Sequence, residues 1–192
     1  MKNIAIFASG NGSNAENIVH HFYRNNSFKI ALILTNKEDA YVVERAKKYS
    51  IPYEIFNLNQ LKQEGYIISV LHKYDIDFIV LSGFMLKIPH ELVRAFPNKI
   101  INIHPALLPK YGGKGMYGEF VHQAVFEAKE TQSGITIHYV NEYYDEGAII
   151  FQAKCDIGSN DNPETIAQKV HILEYRYFPE VIEKTVRKTF NL

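Results

Sequence analysis

Two polar side chains stand near the end of an apolar run in the segment KIINIHPALLPKYGG, residues 99–113. If this run is a β-strand, its side chains alternate between two faces, so Asn102 and His104 share one face. Pro105 lacks a backbone N–H, which predicts that the strand ends there. An amide and a protonated imidazole both donate hydrogen bonds, and directed at one point they would stabilise an oxyanion. The alternative is a polar pair that only caps the end of a strand.

A glycine turn, SGNGSNA at residues 9–15, directly follows the first apolar strand. Gly10 and Gly12 permit a positive φ, and Ser13 and Asn14 can cap the helix that follows. Free N–H groups at a helix N-terminus bind phosphate, which is the function that we favour over an ordinary turn. The spacing also matches the G-x-G-x-x-A dinucleotide signature, so a nucleotide-dependent oxidoreductase is an alternative.

A carboxylate downstream could complete a site with His104. The segment SGITIHYVNEYYDEGAII, residues 133–150, reads as two strands separated by a turn that contains Asp145. Asp145 is either a turn residue or a carboxylate that reaches His104, raises the pKa of that histidine and helps to move a proton. His138 lies in the middle of an alternating strand, where we expect a structural role.

Composition disfavours several functional classes. The 192 residues carry a formal net charge of zero, so no basic excess is available for nucleic acid. The first apolar run, residues 4–8, is too short for a signal peptide, and no stretch approaches a membrane span. The single cysteine, Cys155, cannot form an internal disulfide, which predicts a cytoplasmic protein. The histidines are scattered, and no Cys/His spacing suits zinc, so no metal is expected.

Strand-like and helix-like segments alternate along the chain. The strands are predicted at 3–9, 29–35, 53–57, 78–84, 99–104, 134–140 and 147–157. The helices are predicted at 15–25, 41–50, 60–75, 89–96 and 118–129, followed by a long one from Pro163 with Asp161 or Asn162 as its cap. This order predicts one α/β domain with a doubly wound, mostly parallel sheet and antiparallel pairing near the C-terminus. Such sheets bind ligands beyond the C-terminal strand ends, so the glycine turn and the Asn102–His104 pair should share a cleft.

Four motifs occur together in order, namely SGNGSN, LSGFMLKIP (81–89), NIHPALLPKY (102–111) and GITIHYVNEYYDEGAII (134–150). In this arrangement the chain resembles the folate-dependent formyltransferases, in particular the branch that acts on 5'-phosphoribosylglycinamide. The resemblance implies a Rossmann-like catalytic domain over residues 1–192 and formyl transfer from 10-formyltetrahydrofolate, a consumed co-substrate. It implies small-molecule substrates, no metal, no nucleic-acid or membrane partner, and a monomer or homodimer.

The resemblance also implies roles for individual residues. The catalytic residues would be Asn102, His104 and Asp145. The ribonucleotide would be bound by Gly12, Ser13, Asn14 and Glu174. The folate would be bound by Met85, Leu86, Lys87, Ile88, Asn102, Asn141, Glu142, Tyr143 and Tyr144.

The sequence departs from the family pattern in places. Ala106 stands where relatives often have serine, and the loop at 111–120 is longer and richer in glycine. Lys62 is the nearest candidate for a basic residue that helps to hold the phosphate. Relatives that act on tRNA have an additional C-terminal domain, and hydrolases have an additional N-terminal one, so this length fits the small-nucleotide branch. A non-enzymatic nucleotide- or folate-binding module is the remaining alternative.

Overall fold

The computed structural model describes residues 1–192, which form an α/β fold around one sheet. The strands are β1 (Lys2–Phe7), β2 (Phe28–Thr35), β3 (Tyr53–Ile55), β4 (Phe78–Leu81), β5 (Ile100–His104), β6 (Gln132–Tyr139) and β7 (Ile149–Asp156). The helices are α1 (Ser13–Phe22), α2 (Val42–Lys48), α3 (Leu58–Lys62), α4 (Tyr66–Lys73), α5 (His90–Ala95), α6 (Glu119–Glu127) and α7 (Pro163–Phe190). None of these helices combines the length and apolar character needed to cross a membrane.

The sheet has seven strands in the order β3-β2-β1-β4-β5-β6-β7. The pairs from β3 through β5 are parallel, whereas β6 runs antiparallel to both β5 and β7. The predicted fold class is therefore confirmed. The chain leaves β1 toward β2 and β3 and then returns to β4 on the other side of β1. This reversal creates a crevice beyond the C-terminal ends of β1 and β4, where ligands bind in such sheets.

The central strands are buried on both faces. In β1, Ile4 and Ile6 belong to one hydrophobic cluster, while Ala5 and Phe7 belong to a second cluster on the opposite face. This division follows from the two-residue period of a strand, and it explains why the early strands are continuous apolar runs. Phe178 and other apolar residues of α7 complete the first cluster.

The predicted helix over 60–75 is wrong, because two helices, α3 and α4, occupy this region. Gly65 precedes α4 with a φ of +75°, a left-handed conformation that interrupts a helix. The N–H of Gly65 donates to the carboxylate of Glu91 at 3.1 Å, so the break is also held by a tertiary contact. Helix α3 has its own N-cap, since Asn57 Oδ1 accepts the N–H of Gln60 at 2.9 Å.

The final helix begins at Pro163, as predicted, and Asn162 rather than Asp161 is its cap. Asn162 Oδ1 accepts the N–H of Thr165 at 2.9 Å, while Asp161 pairs with Lys169 Nζ at 2.5 Å. The interior Pro179 has no N–H to offer the carbonyl four residues earlier, that of Tyr175.

The carbonyl left free by this proline connects α7 to α1. Tyr175 O accepts a hydrogen bond from Asn17 Nδ2 at 2.8 Å. The contact holds α7 beside the first two turns of α1. Glu174 precedes Tyr175 on α7, and Asn14 lies about one turn before Asn17 on α1. The contact therefore brings Glu174 and Asn14 to the same end of the crevice.

Gly65→Ala should lower the free energy of unfolding by about 1–2 kcal/mol, because an L-residue is strained at a positive φ. Urea unfolding measures this change. Gly158→Ala is the matched control, since its φ is not positive and an added Cβ would come no closer than 3.7 Å to Asp161 Oδ2. The control should change stability by less than about 0.5 kcal/mol. Equal stability of the two variants would contradict the conformational explanation of the break.

Candidate functional site

A cleft of about 620 Å³ opens at the C-terminal ends of the central strands. Its walls come from the glycine turn, the end of β5, the loop after β4, the loop at 113–118, and α7. Nine of the residues predicted from the sequence line it: Gly12, Ser13, Asn14, Met85, Asn102, His104, Tyr144, Asp145 and Glu174. The glycine turn and the pair at the end of β5 therefore share one cleft, as the strand order predicted.

The glycine turn presents the first N–H groups of α1 to the cleft. Gly12 has a φ of +73°, and an added Cβ would lie 2.5 Å from Val42 Cγ2, so only glycine fits there. The prediction that Ser13 and Asn14 cap the helix is wrong, because Gly12 occupies the cap position and no side chain bonds to it. Gly10 does not have a positive φ. The N–H groups of Ser13 and Asn14 form no hydrogen bond within the protein, which leaves them free for an anion.

The Asp145 carboxylate lies at the centre of a polar cluster, with only 12% of its side chain exposed. Its Oδ2 accepts the N–H of Gly113 at 2.9 Å and lies 3.6 Å from His104 Nδ1. Its Oδ1 lies 3.5 Å from Asn102 Nδ2 and 3.6 Å from His138 Nε2. The backbone of Asp145 has a φ of +55°, a conformation that aspartate tolerates better than most residues. The structure thus brings the three predicted catalytic side chains together and adds His138 to them.

His138 fixes the orientation of Asn102. The two residues are directly opposite in the β5–β6 register. Nδ1 of His138 lies 2.8 Å from the carbonyl of Tyr139 and donates to it, and in the tautomer that carries its proton on Nδ1 the other nitrogen, Nε2, is an acceptor. Asn102 Nδ2 donates to this Nε2 at 3.2 Å. Its other N–H is engaged only by the long contact to Asp145, so it is available to a ligand atom.

The ring of His104 is buried, with 3% of the residue exposed. Nε2 donates to the carbonyl of Tyr111 at 2.7 Å, which leaves Nδ1 as the proton acceptor facing Asp145. Burial lowers the pKa of His104 below its ordinary value of 6.5, although the Asp145 carboxylate acts in the opposite direction. The sequence predicted a raised pKa. That prediction gave the correct sign for the effect of Asp145 but omitted the larger cost of burying an imidazolium.

The carboxyl group of Asp145 is ionised at neutral pH. Burial alone would raise its pKa, but His138 and His104 in their protonated forms, together with the Gly113 N–H, lower it more strongly, to below the ordinary value of 3.8. The cluster therefore contains one fixed negative charge. The unprotonated Nδ1 of His104 faces this charge and can accept a proton beside it.

Glu174 lies at the other end of the cleft, beside the glycine turn. Its Oε2 accepts hydrogen bonds from Asn14 Nδ2 at 2.8 Å and from His171 Nδ1 at 2.9 Å. Oε1 forms no hydrogen bond within the protein and is free for a ligand hydroxyl. His171 and His122 also line the cleft, and neither was identified from the sequence. The spacing of His171 and Glu174, three residues apart on a helix, is a pattern that could have identified the first of them.

Only part of the predicted folate segment faces the cleft. Met85 lines the cleft, and its N–H donates to Ser9 Oγ at 3.1 Å. Ile88 is buried in the second hydrophobic cluster, and Leu86 packs against that cluster. Lys87 lies outside the cleft, with its Nζ 5.6 Å from the ring centroid of Tyr144.

The remaining predicted folate residues belong to the turn between β6 and β7. Asn141 Oδ1 accepts the N–H of Tyr143 at 3.0 Å, and Glu142 forms an ion pair with His90. These three turn residues lie outside the cleft, whereas Tyr144 at the end of the turn lines it. Lys62, suggested from the sequence as a phosphate ligand, also lies outside the cleft. No group of three or more His, Cys, Asp or Glu side chains is arranged to hold a metal ion.

The chain is similar in sequence and structure to known proteins. Residues 2–182 match the sequence model of the formyl transferase family. A phosphoribosylglycinamide formyltransferase from Bacillus subtilis is 40% identical over 189 residues, which cover 96% of this chain and 94% of the relative. The crystal structure of a phosphoribosylglycinamide formyltransferase from Bacillus halodurans superimposes with a TM-score of 0.89 at 37% identity, covering 100% of this chain and 98% of that one.

Plant relatives are longer than this chain. A chloroplastic phosphoribosylglycinamide formyltransferase from Arabidopsis thaliana is 43% identical over 94% of this chain but only 64% of its own length. For the relative from Vigna unguiculata the corresponding share of its own length is 60%. This chain therefore spans less than two thirds of these two relatives.

In an NMR titration of the unliganded protein, we expect His104 to titrate with a midpoint below 6.5, because burial disfavours its charged form. In Asp145→Asn the midpoint should move further down, since the carboxylate that favours the imidazolium is removed. Histidines remote from Asp145 serve as internal controls. A wild-type midpoint above 6.5, or an upward shift in the variant, would contradict this description of the cluster.

Proposed function

The chain belongs to the formyl transferase family, and we propose that it transfers a formyl group from 10-formyltetrahydrofolate to the amine of 5'-phosphoribosylglycinamide. The products would be tetrahydrofolate and 5'-phosphoribosyl-N-formylglycinamide, an intermediate of purine biosynthesis. The observation that carries the proposal is the buried cluster of Asn102, His104 and Asp145. The same cleft is lined by Ser13 and Asn14, whose N–H groups are free, and by Met85 and Tyr144.

The cleft has complementary ends for two small substrates. The free N–H groups of Ser13 and Asn14 suit the phosphate of the ribonucleotide, and the free Oε1 of Glu174 suits a ribose hydroxyl. The exposed faces of Met85 and Tyr144 suit the flat ring system of a folate. Holding both substrates in one cleft makes the attack effectively intramolecular.

The proposed chemistry is an acyl transfer in two stages. The amine nitrogen attacks the formyl carbon, the C=O electron pair moves to oxygen, and a tetrahedral oxyanion forms. When this intermediate collapses, the oxyanion electron pair re-forms the C=O bond, the bond to N10 of the folate breaks, and N10 receives the proton that the His104–Asp145 pair took from the amine. The His104–Asp145 pair accepts the proton that the amine loses, because Nδ1 is the vacant ring nitrogen and its protonated form would face a carboxylate 3.6 Å away.

Asn102 and the protonated form of His104 would stabilise the oxyanion. One N–H of Asn102 is held by His138, and the second is held only by the 3.5 Å contact to Asp145. The second N–H can therefore donate its hydrogen bond to the developing negative charge instead. A preorganised donor of this kind contributes about 3–4 kcal/mol to transition-state stabilisation. The ring of His104, once protonated, adds a positive charge at the time when negative charge appears.

A direct assay separates this proposal from its alternatives. The protein should deformylate 10-formyltetrahydrofolate in the presence of 5'-phosphoribosylglycinamide and leave aminoacylated initiator tRNA unmodified. Equal or faster transfer to tRNA would assign the chain to the other branch of the family. Tight binding of a dinucleotide without formyl transfer would favour the oxidoreductase alternative, and binding of both substrates without turnover would favour a binding module.

We also propose the molecular context of this reaction. Residues 1–192 would act as one catalytic domain, as a monomer or homodimer, with small molecules and not nucleic acid as ligands. The formal net charge of zero supports the last point. The single cysteine supports a reducing compartment, and we place the reaction in the cytoplasm.

Asp145→Asn removes the charge but keeps the shape and suits the left-handed backbone. Turnover should fall by about 10²- to 10⁴-fold, the usual contribution of general acid–base catalysis. Binding of each substrate should change little, because the lost interaction belongs to the transition state. Single-turnover formyl transfer and calorimetry measure the two effects. The control is Asp39→Asn, an exposed position outside the cleft, which should retain wild-type turnover. Near-normal turnover of Asp145→Asn would exclude the proposed role.

A further inference from the structure

The cleft carries an unexpected charge balance for a site that would bind a phosphate dianion. Two carboxylates, Asp145 and Glu174, line it, and both would repel the phosphate. Among the lining residues there is only one lysine or arginine, Lys114, which lies in the glycine-rich loop at 113–118. A helix N-terminus supplies only about half a positive charge, so a second source of positive charge is needed to balance a dianion.

Other cations near the glycine turn already have partners. Arg45 donates from Nε to the carbonyl of Asn11 at 2.8 Å and from Nη2 to Asn11 Oδ1 at 2.7 Å, and it also pairs with Glu16. Lys48 pairs with the same Glu16 at 2.8 Å. Neither cation lines the cleft, and both are committed to contacts within the protein.

The loop that carries Lys114 is anchored at the centre of the site. Gly113, the preceding residue, donates its N–H to Asp145 Oδ2 at 2.9 Å, and its carbonyl accepts the N–H of Met116 at 3.1 Å. Lys114 is exposed, and its ammonium group forms neither a hydrogen bond nor an ion pair within the protein. The lysine is therefore held at the cleft by a fixed neighbour, yet its charge is uncommitted.

Glycines give this loop room to approach a ligand. Gly113 and Gly115 flank the lysine with φ values of +97° and +89°, and a Cβ at either position would meet no atom within 4 Å. The glycines are thus required by backbone conformation and not by crowding. The space on either side of the lysine is therefore open.

We propose that Lys114 provides the positive charge that binds the 5'-phosphate of the ribonucleotide, opposite the N–H groups of α1. This inference rests on the proposed function and identifies the side chain that determines selectivity for a phosphorylated substrate. It gives the glycine-rich loop a role: the loop carries a flexible ammonium donor across the cleft from the helix end. The lysine suits this role because its charge is compact and its stem is flexible.

The test compares two ligands and three proteins by calorimetry. The ligands are 5'-phosphoribosylglycinamide and the same compound without its phosphate. The proteins are wild type, Lys114→Gln and Lys110→Gln. Lys110 is the matched control, because it lies four residues earlier, pairs with Glu130 at 2.8 Å and does not line the cleft.

Lys114→Gln should weaken binding of the phosphorylated ligand by about 10- to 100-fold, the usual effect of one charged hydrogen bond, and leave the dephosphorylated ligand unaffected. Lys110→Gln should bind both ligands like wild type. In Lys114→Gln the affinity for the phosphorylated ligand should also depend less on salt concentration.

Failure of this inference differs from failure of the proposed function. If wild type prefers the phosphorylated ligand and formylates it, but Lys114→Gln retains the full preference, Lys114 is not the phosphate ligand. Equal weakening of both ligands in Lys114→Gln would likewise overturn the inference, since the effect would then not be directed at phosphate. If wild type shows no preference for the phosphorylated ligand, this inference is wrong, and if wild type also fails to formylate that ligand, the proposed function is wrong as well.

Discussion

The buried negative charge of Asp145 is the constraint on which the geometry of the cleft depends. A carboxylate that is 12% exposed is costly unless polar groups surround it. Here Asn102 on β5 and the N–H of Gly113 in the glycine-rich loop donate to it, and ring nitrogens of His104 on β5 and His138 on β6 lie 3.6 Å away, where either ring would compensate the charge once protonated. Satisfying one charge therefore orients the candidate catalytic side chains and anchors the loop. Loss of any partner would leave part of the charge uncompensated, so the cluster is expected to respond as a unit.

The sheet topology explains why these groups meet. Parallel strands bring the ends of β1, β4 and β5 to one edge, which places the glycine turn beside Asn102. The antiparallel β6 then places His138 directly opposite Asn102, a neighbour that an all-parallel arrangement would not supply. At the far end of the cleft, Pro179 frees the carbonyl that Asn17 binds, and this contact holds Glu174 beside the first turn of α1. Each end of the cleft thus depends on a tertiary contact rather than on a local motif.

These contacts separate what could be predicted from sequence from what could not. Apolar runs that end in polar residues predicted the strands, the confirmed fold class and a shared cleft, and the ordered motifs predicted the confirmed family. The helix break at Gly65 was missed because apolar periodicity continues across it and its partner, Glu91, is distant in sequence. The pKa of His104 was predicted in the wrong direction because burial depends on the whole fold. Lys114 could not be identified, since a lysine in a glycine-rich loop has no pattern that distinguishes a ligand from a surface charge.

The central claim is that His104 and Asp145 act as one proton-accepting pair. Its most direct test is a double-mutant cycle in single-turnover formyl transfer, with wild type, His104→Ala, Asp145→Asn and the double variant. Residues that act as a unit are not additive, so the double variant should be little worse than the more impaired single variant. If the two single losses instead multiply fully in the double variant, the residues act independently, and the pair described here does not exist.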